Sequence, residues 1–113
     1  ISSWGAHRGP GAPAMMAYSA SKAAVMNATK TIARHYAEDN ILAYIIAPGV
    51  VRTRMSEEFA QATGGEEKVT QTLVMKEWVP PSDLANLATF LSSGSCRHLT
   101  GATLDVNGAS YLR

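Results

Sequence analysis

The chain has 113 residues, 46 % of them hydrophobic and 17 % charged, with a net charge of +1 and a single cysteine, Cys96. A chain of this length forms one domain or part of one. With scattered basic residues and no apolar run of eighteen, the composition argues against a nucleic-acid-binding stripe and a membrane span, and one cysteine excludes an internal disulfide or a zinc cluster.

The first residue is Ile rather than Met, and Ile1 reads as the last residue of a strand, so an N-terminal portion is expected to precede it and targeting signals are not readable. Residues 2–13 are rich in Gly, Pro and Ser and predict a loop. Ser2 and Ser3 stand where such a strand ends, at the edge of an α/β sheet where ligands bind; His7 and Arg8 read as solvated loop residues.

Residues 14–39 predict a long helix, with Ala17, Ala20, Ala24, Ala28 and Ile32 at spacings of three or four. This small-residue stripe suits close packing on a sheet or another helix, including one at a subunit interface. Met15, Met16 and Met26 read as gap fillers. The unbroken apolar run at 41–47 predicts a strand covered on both faces, hence a parallel sheet. Helix, turn and buried strand form part of a right-handed crossover, which brings residues 48–53 to the same sheet edge as Ser2 and Ser3.

Residues 54–78 divide at Thr63-Gly64-Gly65 into two short helical candidates. The segment is expected to be the most mobile part of the chain and to order over substrate as a lid, with Met55, Phe59, Leu73, Met75 and Trp78 walling an apolar pocket. Pro80-Pro81-Ser82-Asp83 starts a helix whose Leu84, Leu87, Ala88 and Leu91 share one face. Thr100-Gly101 predicts a turn, and residues 102–106 a last strand ending at Asn107-Gly108.

Within the long helix, Tyr18 and Lys22 lie about one turn apart, so both project from one face with Cβ atoms roughly 5–6 Å apart. A free phenol ionises near pH ~10, and a nearby opposite charge lowers such a value by roughly one to three units, toward the range useful for acid/base catalysis.

Taken together, Ile1-Ser2-Ser3, Tyr18-x-x-x-Lys22, Pro48-Gly49-x-Val51-x-Thr53, the helix from Pro81 through Phe90-Leu91, and Thr100-Gly101 before a strand ending in Gly108 resemble the C-terminal half of a short-chain dehydrogenase/reductase. The resemblance runs nearly end to end. It implies an α/β fold, the C-terminal half of a doubly wound Rossmann-type parallel sheet, and hydride transfer between NAD(H) or NADP(H) and an alcohol or carbonyl carbon. By the same resemblance, Tyr18 is the general acid/base, Lys22 tunes it and bonds the nicotinamide ribose, and Ser3 holds the substrate oxygen, with Ser2 as the alternative serine. Pro48, Gly49, Val51 and Thr53 wrap the nicotinamide.

No metal is implied. The expected partners are a small alcohol or ketone and further copies of the chain, as a homodimer or homotetramer; the expected location is the cytoplasm. The choice between NAD and NADP is not readable, nor is the substrate.

The sequence departs from the family pattern in three respects. The interval from Ser3 to Tyr18 is slightly long, so the loop must bulge. Asn107-Gly108-Ala109 stands where Asp-Gly-Gly is usual, a change expected to be harmless. The Gly-rich phosphate loop, the cofactor-selecting residue and the catalytic Asn are expected in the preceding portion, since Gly9-Pro10-Gly11 neither follows a complete strand nor opens a Gly-x-Gly-x-x-Gly run.

A competing expectation is a catalytically silent relative, or a truncated piece, serving as a binding or oligomerisation module. The joint presence of Ser3, Tyr18 and Lys22 favours the enzyme. The 113 residues expressed alone are expected to be inactive and to bind no nicotinamide cofactor tightly. Micromolar NADH or NADPH binding by calorimetry to a monodisperse sample of this chain would overturn that expectation.

Overall fold

The structure, a computed structural model, describes residues 1–8 and 11–113; Gly9 and Pro10 of the Gly9-Pro10-Gly11 run lie outside the described residues. Its frame is a pair of parallel strands, β1 (Ile45–Pro48) and β2 (Thr103–Val106), in register from Ile45 opposite Thr103 to Pro48 opposite Val106. All four residues of β1 are buried, as an apolar run without alternation requires.

The amides of Ile45 and Gly49 donate toward β2, to Ala102 and Val106. Ile46 therefore faces the opposite edge. There its carbonyl accepts from the Ser2 amide at 2.8 Å, and the N-terminal segment lies along β1 as a strand end would.

The strand starts four residues later than the apolar run. Ala43 bonds through both backbone groups to the following turn, its N–H donating to Thr100 Oγ1 at 3.0 Å and its carbonyl accepting from Gly101 N at 2.7 Å. Residues 41–44 thus lean on the Thr100-Gly101 turn instead of a neighbouring strand, and Ile41 is exposed.

A 3₁₀ turn (Pro13–Met15) leads into α1 (Met16–Tyr36). The buried positions of α1 are Ser19, Met26 and Ala33, and the alanine stripe read from the sequence is not the core face. At about 100° per residue, Ala24 and Ala28 lie roughly 160° round the helix from Met26, and Ala17, Ala20, Ala24, Ala28 and Ile32 are all exposed. The helix carries two apolar faces, and the buried one is chosen by fit. A Cβ on Gly5 would come within 3.3 Å of Ser19 Oγ, so the 3₁₀ turn Trp4–Ala6 closes onto α1 only where both partners are small.

Residues 54–78 form α2 (Arg54–Ala62) and α3 (Glu66–Thr72), divided at the predicted glycines. The apolar residues here are not all without fixed partners. Ala60, Leu73 and Trp78 make a buried cluster onto which Trp4, Val50 and Val69 pack, and Trp78 Nε1 donates to Thr70 Oγ1 at 2.8 Å. Val79 N donates to Val50 O at 2.8 Å and Arg52 N to Val79 O at 3.0 Å, which ties the two ends of the segment together. Helix α4 (Pro81–Ser92) turns Leu91 inward and half-buries Leu84, Leu87 and Ala88, as its spacing predicts.

The bend after β2 explains one glycine and questions one alanine. A Cβ at Gly49 would lie 2.8 Å from Asn107 Cβ and 3.0 Å from its Cα, so the chain passes Asn107 only as glycine. Ala109 has φ +59°, the left-handed region that a side chain disfavours. The alanine in place of the usual glycine therefore has a local cost. Ala109→Gly is expected to raise stability by roughly 0.5–1 kcal/mol, and Gly49→Ala to lower it, read as opposite shifts of the urea midpoint at constant slope.

Candidate active site

Three separate segments meet at a cleft of about 390 Å³: the loop after Ser2, the start of α1, and the turn after β1 with α2. Ser3, Tyr18 and Gly49 line it together. Lys22, Pro48, Val51 and Thr53 are not among its lining residues, although all four lie within four positions of one that is.

Each side chain has a local reason for its position. Ser3, 6 % exposed, caps the turn Trp4–Ala6; its Oγ accepts from Gly5 N at 3.1 Å, which orients the hydroxyl and leaves its proton for another acceptor. Ser2 is turned the other way, and its hydroxyl donates to Lys22 O at 2.8 Å. Tyr18 and Lys22 share one face of α1, with Lys22 Nζ 5.8 Å from the Tyr18 ring centroid and bonded at 3.4 Å to Ile1 O.

On the other side of the cleft, Thr53 Oγ1 caps α2, accepting from Ser56 N at 3.4 Å. The parallel bridge between Val51 and Val79 uses the Val50 carbonyl and the Arg52 amide. The N–H and C=O of Val51 consequently point away from Val79.

Of the apolar residues expected to wall a pocket, Met55 and Phe59 line the cleft, whereas Leu73 and Trp78 lie in the cluster beneath and Met75 packs on Gly108. Trp4, Met15, Val69 and Arg8 also line it. Sequence reading passed over them as wall residues, and the available signal was position, since Trp4 and Arg8 follow Ser3 in one short loop.

His7 is not a solvated loop residue. Its ring stacks on Tyr111 at 5.8 Å and its side chain is 11 % exposed. Nε2 lies 3.7 Å from Asp105 Oδ1, beyond hydrogen-bond reach. Burial pushes its pKa down; the attraction of Asp105 opposes this, and the charges of Arg113 and Lys30 add to the lowering. Asp105 is itself engaged by Arg113 Nε at 2.8 Å.

A family profile described as enoyl-(acyl carrier protein) reductase matches residues 1–109. Oxidoreductase UcpA of Escherichia coli (strain K12) is 33 % identical over 106 residues, which cover 88 % of this chain and 40 % of UcpA. Among solved structures, 4-hydroxyisoleucine dehydrogenase complexed with NADH superposes with TM-score 0.82 at 28 % identity, over 96 % of this chain and 44 % of that one. The RhlG/NADP active-site complex of Pseudomonas aeruginosa does so with TM-score 0.85 at 28 % identity, over 99 % and 45 %. The chain thus spans less than half the length of each. These likenesses extend the two-stranded frame to a Rossmann-type parallel sheet, and no helix among the described residues is long and apolar enough to cross a membrane.

The buried imidazole makes stability pH-dependent. Because its folded-state pKa lies below the unfolded value of ~6.5, the unfolded chain takes up a proton first as pH falls, and the folded state loses stability from that point down through the lowered value. The urea midpoint is expected to fall between pH 7 and pH 5, and to fall less in His7→Phe, which keeps the stack on Tyr111. Equal losses in both proteins would remove His7 as the cause.

Proposed function

Because the chain belongs to the short-chain dehydrogenase/reductase family, we propose that the protein is an oxidoreductase that interconverts a small alcohol and its carbonyl compound with NAD or NADP. The observation that carries this reading is the convergence of Ser3 and Tyr18 on one apolar-walled cleft. The donor chemistry fits a nicotinamide cofactor. Lys22 has three N–H donors and, among the described residues, a single long bond, to Ile1 O, so donors remain for ribose hydroxyls, and the outward N–H and C=O of Val51 suit a carboxamide. Gly49 leaves the turn without a side chain beside them, with Pro48 and Thr53 framing it.

Bound, the cofactor supplies or accepts the hydride at the substrate carbon. The chain's own residues handle the oxygen and its proton. In reduction Tyr18 gives its hydroxyl proton to the carbonyl oxygen, and in oxidation it takes the proton from the alcohol. Ser3 donates its hydroxyl hydrogen to the same oxygen, an orientation favoured by the bond its lone pair already accepts from Gly5 N. Lys22 holds a positive charge on the same helix face, 5.8 Å from the Tyr18 ring centroid. The exposed Ala17-Ala20-Ala24-Ala28 stripe suits a second copy of the chain, in a homodimer or homotetramer.

With the full-length protein and a panel of small ketones, Tyr18→Phe is expected to lower kcat by roughly 10²–10⁴ while cofactor affinity persists. Turnover within about threefold of the parent, far less than a general acid/base contributes, would sink the assignment. Lys22→Met is expected to weaken cofactor binding and turnover together; an unchanged Michaelis constant for the cofactor would count against the ribose contact.

A further inference from the structure

Among the described residues lining the cleft, Arg8 is the only charged one, and no carboxylate faces it there. Arg52, Arg54 and Arg113 each meet a Glu or Asp within 2.8 Å; Arg8 forms no such pair among the described residues. Its guanidinium instead lies over the Trp4 ring, 4.8 Å from the centroid, with the Tyr111 ring 5.8 Å away. A cation–π contact uses the charge and not the N–H groups, and among the described residues no hydrogen bond occupies the donors of Arg8, whose fork matches a carboxylate or phosphate. The platform beneath is anchored, since Trp4 packs against the buried Ala60–Leu73–Trp78 cluster. Between Arg8 and the hydroxyls of Ser3 and Tyr18, the cleft presents mainly apolar surface, including Met15, Met55 and Phe59.

The geometry points to an anionic substrate: an alcohol or ketone whose reacting carbon sits at Ser3 and Tyr18, whose apolar body runs along Met15, Met55 and Phe59, and whose carboxylate or phosphate is bound by Arg8. This inference rests on the oxidoreductase reading of the same cleft and adds the chemical class of its substrate. Arg8 is exposed at the mouth, so the attraction works over a short range and weakens with salt.

The test uses the full-length protein and a series of keto acids from 4-oxopentanoate to 8-oxononanoate, each beside its methyl ester and the oxoalkyl phosphate of matched length. At the best length the anion is expected to exceed the ester in kcat/KM by roughly tenfold or more, as a charge-assisted bidentate bond allows, mainly through KM. The carboxylate and phosphate arms show which anion the site takes. Arg8→Gln is expected to collapse the anion-to-ester ratio and Arg8→Lys to retain part of it, while raising salt from about 0.05 to 0.5 M erodes the ratio in the parent. If no length favours an anion, or if Arg8→Gln changes both substrates equally, the inference is overturned.

Calorimetry with octanoate and octanol, which contain no ketone to reduce, separates this inference from the reading beneath it. Octanoate binding that Arg8→Gln abolishes supports the anion site even if no ketone is turned over, in which case the oxidoreductase reading alone fails. Octanoate binding no tighter than octanol, or untouched by Arg8→Gln, counts against the anion site whatever the turnover.

Discussion

Ser2 joins the sheet to the helix. Its amide donates to Ile46 in β1 and its hydroxyl to the Lys22 carbonyl in α1, at 2.8 Å each, and the residue is 3 % exposed. A buried donor left unpaired costs roughly 1–3 kcal/mol, so both bonds constrain where the chain can go next. The following residue is Ser3, and its place on the cleft follows from the two bonds made just before it. The same carbonyl belongs to the residue whose ammonium reaches back to Ile1 O, so strand end and helix turn are linked in both directions.

The cleft has a firm side and a loose side. Trp4 and Val69 pack onto the buried cluster of Ala60, Leu73 and Trp78, while Met55 and Phe59, one turn apart on α2, keep 61 % and 47 % of their surface exposed. α2 thus buries Ala60 on one side and presents two large apolar residues to the cleft on the other. Within 54–78, therefore, Ala60, Leu73 and Trp78 are held in the buried cluster while the α2 face that carries Met55 and Phe59 is left uncovered.

The C-terminal segment braces the same region from behind. Asn107 Nδ2 donates to Tyr111 O at 2.9 Å, which folds the tail back so that Tyr111 meets both His7 and Arg8. Arg113 closes the group by bonding Asp105 and the Thr103 carbonyl. The loop bearing Ser3 is therefore packed against chain that is about a hundred residues away in sequence.

What could be read from the sequence was what depends on short separations. Tyr18 and Lys22 share a face because a helix turn is close to four residues; β1 is buried because Ile45, Ile46 and Ala47 are apolar without alternation; the division of 54–78 follows from two glycines; and α4 follows from Pro81 and the leucine spacing. The family motifs belong to the same class, since each is a local spacing. Tertiary contacts alone decided the rest. Periodicity marks an apolar face but not its partner: the alanine stripe of α1 suits a sheet, another helix or a subunit interface alike, and within the chain it is Ser19, Met26 and Ala33 that form the buried side. His7 and Arg8, polar residues in a Gly- and Pro-rich loop, carry no local sign of burial or of facing a cleft; the His7 ring is covered because it stacks on the distant Tyr111, and Arg8 lines the cleft where its guanidinium lies over Trp4.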